Sequence, residues 1–68
     1  MTEEETRSRK YAEMIENYYK SHCKKYVSLR MVRRNVDLTK YQVGRGCKWL
    51  KENDYIEKHN NRTWRILK

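Results

Sequence analysis

Residues 28–67 read SLRMVRRNVDLTKYQVGRGCKWLKENDYIEKHNNRTWRIL, and the order of capping, apolar and basic positions along them decides the fold. Ser28 is a good N-cap. Leu29, Val32 and Val36 follow at steps of three and four, the helical period, while Arg30, Arg33 and Arg34 point elsewhere. Asp37 ends this helix, because a short acidic side chain tolerates a turn or left-handed conformation. Thr39 caps another helix only two residues later, with Val43, Cys47 and Leu50 as its buried face. Asn53-Asp54 stops that helix, either residue being able to take positive φ in place of glycine. Residues 28–53 are two helices joined by a tight turn.

Beyond the stop the period changes to two. Ile56 and Lys58 alternate with Tyr55, Glu57 and His59, and Trp64 and Ile66 alternate with Thr63, Arg65 and Leu67. Asn60-Asn61 lies between the runs, and asparagine accepts the left-handed geometry of a two-residue hairpin turn. Residues 55–67 are thus a β-hairpin with Ile56, Trp64 and Ile66 facing the core. Tyr26-Val27 leaves room for a short third strand.

Before Ser28 lies a first helix within residues 1–23. Thr2 with Glu5 has the form of a capping box, and Glu3, Glu4 and Glu5 put negative charge at the favourable end of the helix dipole. Thr6 is a second available start. Tyr11, Met14, Ile15 and Tyr18, with His22 at the end, fall on one face, and the helix ends near Ser21 to Cys23. The order is helix, short strand, helix, turn, helix, hairpin, an α+β domain.

The chain has 68 residues, enough for one domain with a thin core. Its net charge is +8 and is unevenly placed. Residues 1–19 carry three basic and five acidic side chains, and residues 20–68 carry fourteen and four. The second segment is therefore at +10, a field that attracts polyanions through counterion release. The plain alternative is a lysine-rich solvated surface of the kind found in heat-adapted proteins. No apolar run approaches the roughly twenty residues needed to span a bilayer, so no membrane is expected. Cys23 and Cys47 form no CxxC pair; the two are compatible with a disulfide, and free thiols of the cytosol are the favoured alternative. His22, Cys23, Cys47 and His59 have the atoms of a zinc site without its spacing. There is no glycine-rich phosphate loop and no serine–histidine–carboxylate motif, so neither enzyme chemistry, a cofactor nor a small-molecule ligand is evident.

The run Leu38-Thr39-Lys40-Tyr41-Gln42-Val43, with Cys47 and then Leu50 to Lys58, resembles the recognition helix and the start of the wing in winged helix-turn-helix regulators. Thr63-Trp64-Arg65 resembles the second wing strand of small archaeal and viral winged-helix proteins. The resemblance covers about forty residues in ungapped register. Two positions depart from the pattern: Arg33 stands where a small residue lets two helices approach, and Asp37 stands at the usual turn glycine. The resemblance implies a single winged-helix domain over residues 1–68, with three helices and a C-terminal hairpin wing. With the lysine-, glutamate- and tyrosine-heavy composition, it points to an archaeon, an archaeal virus or a plasmid. The expected place is the cytoplasm, at the nucleoid, or the host cytoplasm for a viral protein.

The function so implied is sequence-specific binding of double-stranded DNA by a transcriptional regulator. With Val43, Cys47 and Leu50 inward, the outward face of the third helix carries Tyr41, Arg45, Lys48 and Glu52, flanked by Lys40, Gln42 and Gly44. Such side chains read base edges in the major groove. Arg45 suits guanine, Gln42 adenine and Tyr41 a thymine methyl or a phosphate, while Gly44 lets the backbone come close. Ser28, Arg30, Arg34 and Thr39 are candidates for phosphate contacts. Lys58, Asn60, Asn61 and Arg62 form the wing tip, with Asn60-Asn61 also serving as turn residues. Trp49 and Tyr19 pack within the monomer or meet a second copy, and a homodimer stays open. RNA binding, as in winged-helix ribosomal proteins, and a protein-interaction module are the competing functions.

Overall fold

The structure, a computed structural model, describes residues 3–68. The chain folds as α1 (Glu3–His22), β1 (Tyr26–Ser28), α2 (Leu29–Asn35), α3 (Lys40–Glu52), β2 (Ile56–Lys58) and β3 (Thr63–Ile66). The three strands make one antiparallel sheet in the order β1-β3-β2, so the third strand foreseen at Tyr26-Val27 is present and extends through Ser28. The proposed capping box begins at Thr2, outside the described residues. Glu3 is already helical, which places Thr6 inside α1 rather than at its start.

The helices bury one face each against a shared core of Ala12, Ile15, Tyr19, Val27, Val32, Val43, Cys47, Leu50 and Ile56. On α1 the buried stripe is Ser8, Ala12, Ile15 and Tyr19, rotated from the expected Tyr11, Met14, Ile15, Tyr18 and His22. Of that set only Ile15 is buried; Met14 and His22 are exposed, while Tyr11 and Tyr18 are half-buried at the rim. The cause is close approach of two backbones. A Cβ added at Gly46 of α3 would lie 3.0 Å from the Tyr11 carbonyl carbon and 3.1 Å from the Ala12 nitrogen. Ala12, with no side chain beyond Cβ, faces the crossing beside Ile15, and the Tyr11 and Tyr18 rings stay at the rim.

Ser28 accepts a hydrogen bond from the Met31 N–H and caps α2. That helix ends at Asn35, two residues short of Asp37, with Val36 already extended at φ −106° and ψ 133°. Asp37 does not adopt positive φ. The Leu38 N–H instead bonds to the Val36 carbonyl at 2.8 Å, a three-residue turn centred on Asp37. The link alternates: Val36 and Leu38 pack on the core, while Asp37 and Thr39 face solvent. Extending the backbone lets two apolar side chains dock where continued helix would have docked one.

α3 starts and stops as read from its residues. Thr39 accepts from the Gln42 N–H, and the Gln42 side chain accepts from the Thr39 N–H, a complete capping box. Asn53 is the C-cap and Asp54 takes φ 61°, the one non-glycine residue with positive φ among those described.

In the sheet, Ile56 pairs with Ile66 and Val27 with Trp64 on the core side. Tyr26, Glu57 and Arg65 occupy the outer side, where Arg65 bonds to Glu57 at 3.4 Å. The hairpin turn differs from the expected two-residue form. Residues 59–62 connect the strands, and neither asparagine takes positive φ. Asn60 Oδ1 instead accepts from the Arg62 and Thr63 N–H groups, each at 2.9 Å, closing the loop through a side chain.

Candidate nucleic-acid interface

The loop between β2 and β3 is tied to the start of α2: the Leu29 N–H donates to the Arg62 carbonyl at 3.0 Å. That bond brings the hairpin tip beside the two helices. Between them lies a groove of about 700 Å³, lined by Leu29, Arg30, Arg33 and Arg34 of α2, Lys40, Val43 and Gly44 of α3, and Arg62 of the loop. Its apolar lining comes from Leu29 and the nearly buried Val43, and no carboxylate among the described residues lines it. Arg30, Arg33 and Arg34 share one side of α2 because positions three and four apart lie one above the other. Among the described residues, none of the five cations of the groove joins an ion pair; the salt bridges Arg9–Glu13, Lys20–Glu16 and Arg65–Glu57 lie elsewhere.

Of the residues singled out from the sequence, the groove brings together Arg30, Arg34, Lys40, Gly44 and Arg62. Arg33 was read as pointing away from the buried face and as a departure from the family's packing pattern, not as a site residue. It is exposed and turned to the groove, so it meets no facing helix. The signal was present in the spacing of Arg30, Arg33 and Arg34.

A second set forms a ridge on α3. Tyr41 is 67% exposed, Lys48 is exposed, and Arg45 is half-buried between them. Arg45 does not simply project outward: its Nε donates to Tyr41 Oη at 3.0 Å, and its guanidinium carbon lies 5.4 Å from the Tyr41 ring centre. The two side chains, one turn apart, hold each other in place. Gly44 is exposed and has nothing within 4 Å of an added Cβ. Gln42 is half-buried with Oε1 engaged at the helix start, and Thr39 and Ser28 use their hydroxyl oxygens as caps. Lys58, Asn60, Asn61 and Arg62 are all exposed at the hairpin end.

The scaffold behind the ridge is buried. Cys47 is 4% exposed, and burial pushes its thiol up to about 11. Both cysteines are free thiols, with burial also raising that of Cys23. Tyr19 is fully buried beneath, and Trp49 packs against Tyr55 with ring centres 5.6 Å apart. Among the described residues no three His, Cys, Asp or Glu side chains converge as a metal site, and no helix is long and apolar enough to cross a membrane. No family model, curated protein or solved structure matches the chain.

Proposed function

We propose that this chain is a winged-helix protein that binds double-stranded DNA in a sequence-dependent way, as a transcriptional regulator and without chemistry of its own. One observation carries the reading. Cations from three separate segments, Arg30 and Arg34 of α2, Lys40 of α3 and Arg62 of the hairpin loop, meet on one face beside the ridge of exposed Tyr41 and Lys48 with half-buried Arg45 between them. α3 is the reading helix. Lys40, Tyr41, Gly44, Arg45 and Lys48 face the base edges, with Gln42 contributing from the helix start. Guanine recognition would use the two terminal nitrogens of Arg45, and its Nε bond to Tyr41 orients them. Arg30, Arg34, Lys58 and Arg62 meet phosphates and set the register.

Selection from a random duplex pool, followed by gel-shift titration of the winner against scrambled duplex and structured RNA, tests the reading. A selected duplex should bind more tightly than both competitors. Arg45→Ala should cost about 1–3 kcal/mol on the selected site and flatten the preference among sequences. Undiminished affinity in that variant would show that α3 is not the reading element. Equal or tighter binding of structured RNA would transfer the interface to RNA.

A further inference from the structure

The groove between α2, α3 and the hairpin loop has a property that contact with duplex phosphates leaves unexplained. Its apolar lining is the half-buried side chain of Leu29 and the exposed backbone of Gly44, with Val43 almost wholly buried behind them. A phosphate contact draws on the cations and leaves the side chain of Leu29 unused. A concavity of about 700 Å³ falls within the range of small-molecule sites, which pair an apolar lining with a few convergent polar groups. Here the convergent groups are four guanidinia and one ammonium, Arg30, Arg33, Arg34, Arg62 and Lys40. Three of the guanidinia stand on one side of a single short helix, where like charges repel unless an anion lies among them. Guanidinium forks match phosphate oxygens in pairs.

We propose that this groove is a binding site for a free nucleoside polyphosphate. The base lies on the floor, sliding over Gly44, where an added Cβ would meet nothing within 4 Å. The phosphates lie among Arg30, Arg33 and Arg34, with Lys40 and Arg62 closing the sides. An aromatic heterocycle supplies the flat body that the floor accepts, and the polyphosphate supplies the negative charge that five cations demand. The site does not depend on the chain binding duplex, although Arg30, Arg34, Lys40 and Arg62 would serve both ligands.

Calorimetric titration of the intact chain with ATP, GTP and inorganic tripolyphosphate, in the absence of DNA and at physiological salt, tests this. One nucleotide should bind per chain with a dissociation constant below about 1 mM, and at least about tenfold more tightly than tripolyphosphate. Arg33→Gln should weaken the nucleotide about tenfold, the loss expected for one charge-assisted contact. Gly44→Leu keeps every cation and puts bulk on the floor. It should abolish the advantage of nucleotide over tripolyphosphate, with circular dichroism confirming that the helix content is kept. The proposal is overturned if tripolyphosphate binds as well as the nucleotides, if Gly44→Leu leaves their ratio unchanged, or if no nucleotide binds below the millimolar range. Failure here leaves the duplex reading standing, because that reading is decided by Arg45 and the selected duplex.

Discussion

Gly44 and Gly46 stand two residues apart on α3 and face opposite surroundings. A methyl at Gly44 enters open space, whereas one at Gly46 lands 2.6 Å from Ile15 Cδ1 and against the backbone of Tyr11 and Ala12. Replacing glycine by alanine inside a helix gains roughly 0.5–1 kcal/mol from backbone entropy. Gly44→Ala should show that gain, while at Gly46 overpacking of about 1–3 kcal/mol outweighs it. Denaturant midpoints should therefore move in opposite directions, and a Gly46→Ala protein as stable as the parent would refute the close approach of α1 and α3. Titration gives a second test on single residues. Burial raises the Cys47 thiol to about 11, and burial followed by Glu16 and Tyr55 raises the Tyr19 phenol to about 12, from 9.0 and 10.0. Both groups are held neutral in the fold, so their contribution is complete below about pH 9, where the unfolded chain is also neutral. It is lost as pH rises, over 9 to 11 for the thiol and 10 to 12 for the phenol, because the unfolded chain releases these protons first. Cys47→Ala should flatten the stability profile in the first interval and Tyr19→Phe in the second. Profiles matching the parent would show that these groups are solvated in the folded state.

At the scale of elements, α2 and α3 are held chiefly by packing, and their caps fix where they start. α2 has seven residues and α3 thirteen, lengths at which isolated helices are marginal. Thr39→Ala removes an oxygen that accepts from the Gln42 N–H and undoes the reciprocal box. It should cost about 1 kcal/mol, which in a domain of this size lowers Tm by about 4–8 °C. An unchanged Tm would mean that the box contributes nothing to α3. Capping chemistry is also why α3 was so legible from sequence: Thr39, the 43–47–50 spacing and Asn53-Asp54 each signal through residue type. α1 was legible as a helix but not in orientation. Apolar area favours Tyr11, Met14 and Tyr18 over Ala12, yet the crossing at Gly46 selects for small size. Gly46 itself sends no periodic signal, because its contribution is the absence of a side chain. The helix end at Asp37 and the turn at Asn60-Asn61 were misread for one reason. Both residues permit left-handed backbone, but a three-residue turn and a side-chain acceptor satisfy the same peptide groups at negative φ.

Over the whole molecule, charge is segregated by segment. Residues 20–68 carry a net +10 against −2 in residues 1–19, and the fold gathers part of that excess from α2, α3 and the hairpin loop onto one face. The charge imbalance and most of the groove's residues could be read from sequence. Their convergence could not, since it depends on the bond between the Leu29 N–H and the Arg62 carbonyl, which joins residues far apart in the chain. If Arg30, Arg34, Lys58 and Arg62 each neutralise one phosphate, duplex binding releases a matching set of counterions. The logarithm of the binding constant should then fall against the logarithm of salt concentration with a slope of about −3 to −4, or about −0.9 per phosphate. Fluorescence anisotropy at several salt concentrations measures that slope. Arg30→Ala and Lys58→Ala should each reduce its magnitude by about 0.9 and weaken selected and scrambled duplexes alike, whereas Arg45→Ala should act mainly on the difference between them. The two positions lie on different elements, so their effects should add. A slope near zero in the parent, or one that neither phosphate-contact variant alters, would detach the basic face from the DNA backbone.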